Sequence, residues 1–163
     1  MFDYKADIVS GKSLGNFQIG ENINDYLPCI YEQGIKLNIK KYNENQKNEI
    51  HSYLIDNNFK INTLPNGYII NITSINSYKG TLNKIIKSGI TVEQIKIVTE
   101  KQTINNGCLF LNGDYGFCYI LPTPYDEIGD TINQLPNDLI LNEICVGNFF
   151  WWFDHNLIPE YAK

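Results

Sequence analysis

Hydrophobic and polar residues alternate most cleanly where Ile35, Leu37 and Ile39 interleave with Lys36, Asn38 and Lys40. A period of two marks a half-buried strand, and lysines along its wet face suit a sheet edge. Asn43–Asn48 is a polar connector, and Ile50–Ile55 and Phe59–Leu64 are further strand candidates. Pro65-Asn66-Gly67 then makes a turn, because proline presets φ and Asn-Gly accepts positive φ. The isoleucine- and threonine-rich stretch Tyr68–Ile75 is its return strand.

Nearer the N-terminus, Phe17 and Ile19 alternate with Asn16 and Gln18, so Leu14–Ile19 reads as a short strand beside Gly15 and Gly20. The period then lengthens: Ile23, Tyr26/Leu27 and Ile30/Tyr31 predict a helix near 22–31 with Gly34 at its C′ position. Pro28 fits only in the first turn, which calls for Asn24 or Asp25 as cap. Thr81-Leu82, Ile85, Gly89, Val92 and Ile95 echo Ser13-Leu14, Phe17, Gly20, Ile23 and Tyr26 with one residue inserted. The chain thus holds two degenerate strand–Gly–helix units near 13–34 and 81–99, a duplicated piece or a coincidence of an isoleucine-rich sequence. Thr91 with Gln94 forms a capping box for a helix over 91–99, with Val92, Ile95 and Val98/Thr99 as its buried stripe.

Beyond the second unit the pattern is nearly all β. Cys108–Leu111, Asn112-Gly113 and Asp114–Leu121 make the strongest hairpin signal in the chain. Pro122-Thr123-Pro124 ends it, and Tyr125–Asn137 is an acidic loop with room for one helical turn. Leu139–Val146 is a strand, Gly147-Asn148 a turn, and Phe149–Phe153 the antiparallel partner. Runs of strands with two or three short helices predict one α+β domain over 1–163, built on a central antiparallel sheet that contains both Tyr68–Ile75 and Tyr115–Leu121.

Composition sharpens the second half. From Gln102 to Ala162 there is no lysine or arginine but eight acids, whereas the residues before Gln102 hold twelve lysines and ten acids. Every basic residue is lysine, and the net charge is −5. Without the arginine fork that reads phosphates and guanine edges, nucleic acid is not an expected partner. The N-terminal residues lack the apolar core of a secretory signal, and no run approaches the roughly 18 apolar residues a membrane span needs. A cytoplasmic protein without membrane contact is therefore expected.

Candidate chemistry is sparse. No metal-ligand spacing, phosphate-cradling glycine loop or cofactor motif is present in the sequence. Cys29, Cys108, Cys118 and Cys145 show no Cys-x-x-Cys spacing and read as free, buried thiols. If Leu111 opposes Asp114, then Cys108 opposes Phe117 and Cys118 points to the other face, which forbids a bridge between them. His51 reads as a surface or edge residue. An enzyme would have to be a small hydrolase using paired carboxylates or Cys145 with His155. The aromatics could instead serve a carbohydrate-binding module, although Tyr115, Phe117 and Tyr119 read more simply as one strand face packed on the core. Trp151 and Trp152 would point to opposite faces of their strand, leaving one exposed as an interface anchor.

The segments Gly11-Lys12-Ser13-Leu14-Gly15-Asn16-Phe17-Gln18-Ile19-Gly20 and Gly113-Asp114-Tyr115-Gly116-Phe117, in a small acidic chain, carry a resemblance in general character. The chain resembles the immunity proteins of polymorphic and contact-dependent growth-inhibition toxin systems. That resemblance implies a non-enzymatic monomer or weak dimer that binds a basic partner, a cognate toxin that is commonly a nuclease, and needs no cofactor or metal. It implies no particular architecture, since such proteins differ widely in fold. On charge and aromatic content, the expected partner-binding residues are Asp114, Tyr115, Tyr125, Asp126, Glu127, Asp130, Trp151, Trp152 and Asp154.

Overall fold

The computed structural model describes residues 3, 5–44, 48–76 and 78–154, excluding the side chains of 42–44, 48 and 151. In chain order they form β1 (Ser13–Leu14), β2 (Phe17–Gln18), a 3-10 turn (Ile23–Asp25), α1 (Leu27–Glu32), β3 (Leu37–Glu44), β4 (Asn48–Ile55), β5 (Phe59–Thr63) and β6 (Ile69–Ser74). There follow β7 (Ile90–Thr91), α2 (Val92–Val98), β8 (Gln102–Asn105), β9 (Cys108–Leu111), β10 (Asp114–Ile120) and α3 (Tyr125–Ile128). A 3-10 turn (Ile132–Gln134), β11 (Ile140–Leu141), β12 (Ile144–Gly147) and a last 3-10 turn (Phe150–Trp152) complete the described chain.

Eight of these strands make one antiparallel sheet in the order β3-β4-β5-β6-β12-β10-β9-β8. It is the expected α+β domain, and β6 and β10 do share the sheet. Two meanders, β3 to β6 and β8 to β10, run inward from opposite edges, and β12 is inserted between them. Each meander follows a short helix, α1 or α2. The edge position expected for the lysine-bearing strand is the one β3 occupies.

One face of the sheet carries the main core. Tyr53 and Ile55 from β4, Phe59 and Ile61 from β5, Ile72 from β6, Ile144 and Val146 from β12, Phe117 and Tyr119 from β10, and Leu109 from β9 all bury there. Ile23, Ile30, Val92 and Ile95 from the helical segments cover it. The other face holds a smaller cluster around Phe110, Cys118, Cys145 and Phe149.

Local chemistry explains most boundaries. Thr91 caps α2 reciprocally with Gln94, as the capping box requires. The hairpin turn Asn112-Gly113 has both residues at positive φ, 54° and 73°, the geometry that matches strand twist. α1 ends in a Schellman motif: Gly34 stands at φ 63°, its N–H donates to the Tyr31 carbonyl, and Ile35 N–H donates to Ile30.

Several expectations are corrected. The strand expected over Leu14–Ile19 is folded back on itself at Gly15 (φ 65°), pairing Leu14 with Phe17 so that both reach the core. Pro28 does sit in the first turn of its helix, but a separate 3-10 turn capped by Asn22 precedes it, and neither Asn24 nor Asp25 is the cap. Asn43, Glu44 and Asn48 extend β3 and β4, while the centre of the expected polar connector lies outside the described residues. Leu139–Val146 divides into β11, which pairs with β7, and β12, which pairs with β6 and β10. Phe149–Phe153 is a 3-10 turn and not a strand. Five successive aromatics offer no polar alternation for a strand, and the turn brings Phe149, Trp152 and Phe153 against Phe110 instead.

The hairpin register is also different. Asp114 opposes Leu111 as expected, but Tyr119 opposes Leu109 and Ile120 opposes Cys108, so β10 bulges between them. The cause lies far away in sequence. Gly11 N–H donates to the Gly116 carbonyl at 2.9 Å, and the Ser10 hydroxyl donates to Asp114, so the N-terminal segment occupies the bulge. Tyr115 is thereby separated from the core-facing Phe117 and Tyr119. Cys118 shares the face of Ile120 and hence that of Cys108, contrary to the expected opposition.

A Cβ at Gly116 would meet Ser10 and the Gly11 backbone, with Gly11 Cα only 2.9 Å away. Gly116→Ala is therefore expected to destabilise the protein by about 1–3 kcal/mol, as overpacking against backbone does. The midpoint of urea unfolding measures it. A variant as stable as wild type would contradict this account of the bulge.

Candidate binding surfaces

The residues expected to bind a partner fall into two groups at opposite ends of β10. Asp114, Tyr115, Trp152 and Asp154 lie at its start, and Tyr125, Asp126, Glu127 and Asp130 follow its end. Seven extended residues separate the groups by roughly 20 Å along the strand. The Trp151 side chain lies outside the described residues.

At the first end, Phe110 is the hub of an aromatic cluster. Tyr115, Phe149, Trp152 and Phe153 meet it edge-on with ring centroids 5.2–6.2 Å apart. Tyr115 stacks on Phe153 at 3.9 Å. Such pairs add stability beyond their buried area, so Tyr115 and Trp152 are partly packing residues. Phe150, against the edge of Tyr115, is 44% exposed and offers this cluster's apolar surface to solvent.

Beside this end opens a cleft of about 240 Å³ lined in part by Leu82, Ile85, Val98, Leu111 and Asp114. Asp114 Oδ1 accepts from the Ser10 hydroxyl and from Gly116 N–H, which fixes the carboxylate in the wall. Its Oδ2 has no hydrogen-bond partner among the described residues. The cleft can take an aliphatic stem against Leu82 and Val98 with a cationic head at Asp114. Val98, expected in the buried stripe of α2, is instead 40% exposed at the rim of the cleft, where Ile85 is 55% exposed. Val92, Ile95 and Thr99 are the residues of that helix and its cap that are buried.

At the other end, the cis peptide Thr123-Pro124 leads into the single turn α3. Tyr125, one of the expected partner-binding residues, is half-buried and packs against the main core. Asp126 is half-buried: Oδ2 accepts from the Thr123 hydroxyl at 3.2 Å, and Oδ1 is shielded without a partner among the described residues. Its backbone lies against Gly107, in the turn between β8 and β9. Glu127 and Asp130 are exposed. Ile128, which no sequence pattern marked, is 60% exposed between them and is the apolar residue this turn presents.

Cys145 is 5% exposed, and its sulfur accepts from the Thr73 hydroxyl at 3.3 Å. His155 lies outside the described residues. His51 is half-buried on β4 and contacts Glu49, which also meets Lys41 at 3.8 Å. The His51 hydrogen bond, followed by the Lys41 charge, outweighs desolvation and holds the Glu49 carboxyl below its usual range. Among the described residues, no group of three or more His, Cys, Asp or Glu side chains is arranged to hold a metal. No described helix is long and apolar enough to cross a membrane. Comparison of the chain with family models, curated proteins and solved structures returned no match.

Glu143, at the entrance to β12, has its carboxyl pushed up by burial, only partly offset by Lys60 across the sheet face. A carboxyl whose folded pKa is raised favours folding below its unfolded pKa and loses that contribution as pH rises through the folded value. Glu143→Gln should therefore raise stability at neutral pH and flatten the decline from mildly acidic to neutral pH. Urea midpoints across that range measure it, and a variant whose stability falls as steeply as that of wild type would contradict the assignment.

Proposed function

We propose that this chain is a non-enzymatic binding protein that neutralises a basic protein partner. An immunity protein inhibiting a cognate bacterial toxin, with a nuclease as the toxin, is the form of that activity that fits best. The observation that carries the proposal is the state of the acids in the lysine-free segment. Asp114, Asp126, Glu127, Asp130, Asp138 and Glu143 form no salt bridge with any lysine among the described residues, where the ion pairs are Lys41–Glu49 and His51–Glu49.

Uncompensated like charges repel and lower the stability of the compact state, while raising the association rate of an oppositely charged partner. A nuclease presents lysines and arginines arranged for phosphate, and carboxylates can occupy those positions. The turn α3 supports the reading best, because Glu127, Ile128 and Asp130 combine two exposed acids with an exposed apolar side chain. A charged rim around a small apolar anchor is the composition of a steered interface.

The test uses the product of the gene immediately upstream as ligand. Asp126→Asn, Glu127→Gln and Asp130→Asn are combined in one variant; the carboxamide oxygen introduced by Asp126→Asn can still accept from the Thr123 hydroxyl. Calorimetric titration at low salt should show affinity reduced about tenfold, on the order of 1.4 kcal/mol. The difference should shrink as salt is raised, because exposed charges are screened. Unchanged affinity together with unchanged salt dependence would count against this surface.

A further inference from the structure

The bulge in β10 has placed three thiols in a row. Cys108 on β9, Cys118 on β10 and Cys145 on β12 occupy adjacent strands and point to the same face of the sheet. All three are free cysteines. Cys118 stands between the other two, diagonal to Cys108 across β9 and β10 and level with Cys145 across β10 and β12. Cys118 and Cys145 are directly opposed partners in the antiparallel ladder. Ile120 N–H donates to the Glu143 carbonyl, so by alternation the pair two residues on is also hydrogen-bonded, with its Cα atoms about 5.5 Å apart. That separation falls inside the range of roughly 4.4–6.8 Å over which a disulfide can form.

The outer thiols are separated by the whole of β10, about two strand spacings of 4.7–4.9 Å, too far to share one metal at Zn–S distances near 2.3 Å. The arrangement is a relay and not a ligand cage. We propose that Cys108, Cys118 and Cys145 form a peroxide-sensitive site whose oxidised product is a Cys118–Cys145 disulfide, with Cys108 as the point of attack.

Cys108 is the one thiol of the three that is only half-buried, whereas Cys118 and Cys145 are buried. The hydrogen bond from Cys118, outweighing desolvation, holds the Cys108 thiol below its usual pKa, and burial pushes Cys118 well above its own. The reactive form of cysteine is the thiolate, so hydrogen peroxide meets its nucleophile at Cys108. The sulfur attacks one peroxide oxygen, the O–O bond breaks, and the other oxygen leaves as water, giving a sulfenic acid. The Cys118 sulfur then attacks the Cys108 sulfur. The sulfenic hydroxyl leaves with the Cys118 proton as a second water. This bond joins diagonal neighbours whose Cα atoms lie about 7–8 Å apart, at or beyond the limit for an undistorted bridge. Cys145 attacks Cys118 in turn, releasing Cys108 as a thiol and leaving the bridge between the opposed pair. Two thiols have lost two electrons and two protons, and one peroxide has become two waters.

The test is peptide mapping by mass spectrometry of the reduced full chain after hydrogen peroxide treatment and alkylation. A linked peptide pair containing Cys118 and Cys145, lost on treatment with dithiothreitol, is expected. Cys108→Ser should form the same link about tenfold more slowly, since the nucleophile is then a buried thiol. Cys118→Ser should form no link and should retain a Cys108 sulfenic acid that dimedone traps. Wild-type protein in which peroxide modifies Cys29 and leaves these three thiols alkylatable would overturn the proposal, and needs no variant to fold. A Cys108→Ser protein that links at the wild-type rate would also overturn it.

Discussion

The structure depends on one four-residue strand. β12 is buried throughout, and it hydrogen-bonds to β6 on one side and β10 on the other. Each meander would otherwise end in an unpaired edge inside the protein, with donors and acceptors that neither water nor another strand could satisfy. The constraint is non-local. Thr73 and Cys145 are ladder partners 72 residues apart, so the first meander is tied to the end of the described chain. Ile144 and Val146, both fully buried, contribute roughly 1.5–3 kcal/mol each to that closure.

β12 also sets what each face of the sheet can do. Ile144 and Val146 enter the core, so Cys145 must face the other way, where it meets Cys118 and stands under the aromatic cluster of Phe110 and Phe149. The acids, by contrast, are concentrated on connections that leave the sheet: Asp126, Glu127 and Asp130 in the link after β10, and Glu143 just before β12. The lysines of the first half include Lys40 and Lys41 on the outer strand β3, away from that link in the strand order. Lys60 lies near Glu143, and Lys96 Nζ donates to Asn137 beside Asp138, so the charge division in the sequence is only partly a division in space.

Much of the first meander and the start of α2 were legible because their signals are local. Period-two alternation, the Pro65-Asn66-Gly67 turn and the Thr91–Gln94 box each specify geometry within a few residues. β8 was missed even though its turn, Asn106-Gly107, repeats the dipeptide that marks the next hairpin, with φ of 48° and 70°. The bulge in β10 could not be read locally, because it is made by Ser10 and Gly11, with Ser10 lying 104 residues before its partner Asp114. That single non-local contact separated Tyr115 from Phe117 and brought Cys108 and Cys118 to one face. The partner-binding residues were legible as charge but not as a patch. Core packing claimed Tyr125, aromatic packing occupied much of Tyr115 and Trp152, and Ile128 carried no distinguishing mark in a chain rich in isoleucine.

If β12 unites the sheet, the two meanders cannot open independently. Native-state hydrogen exchange on wild type and Val146→Ala tests this most directly, by following amides of β5 and β9, which β12 does not touch. The account predicts that truncating Val146 lowers the opening free energy of both strands by the same amount, about 1–3 kcal/mol for a buried side chain losing methyl groups. Faster exchange in β9 with β5 unchanged, or the reverse, would contradict it and show two separately stable halves.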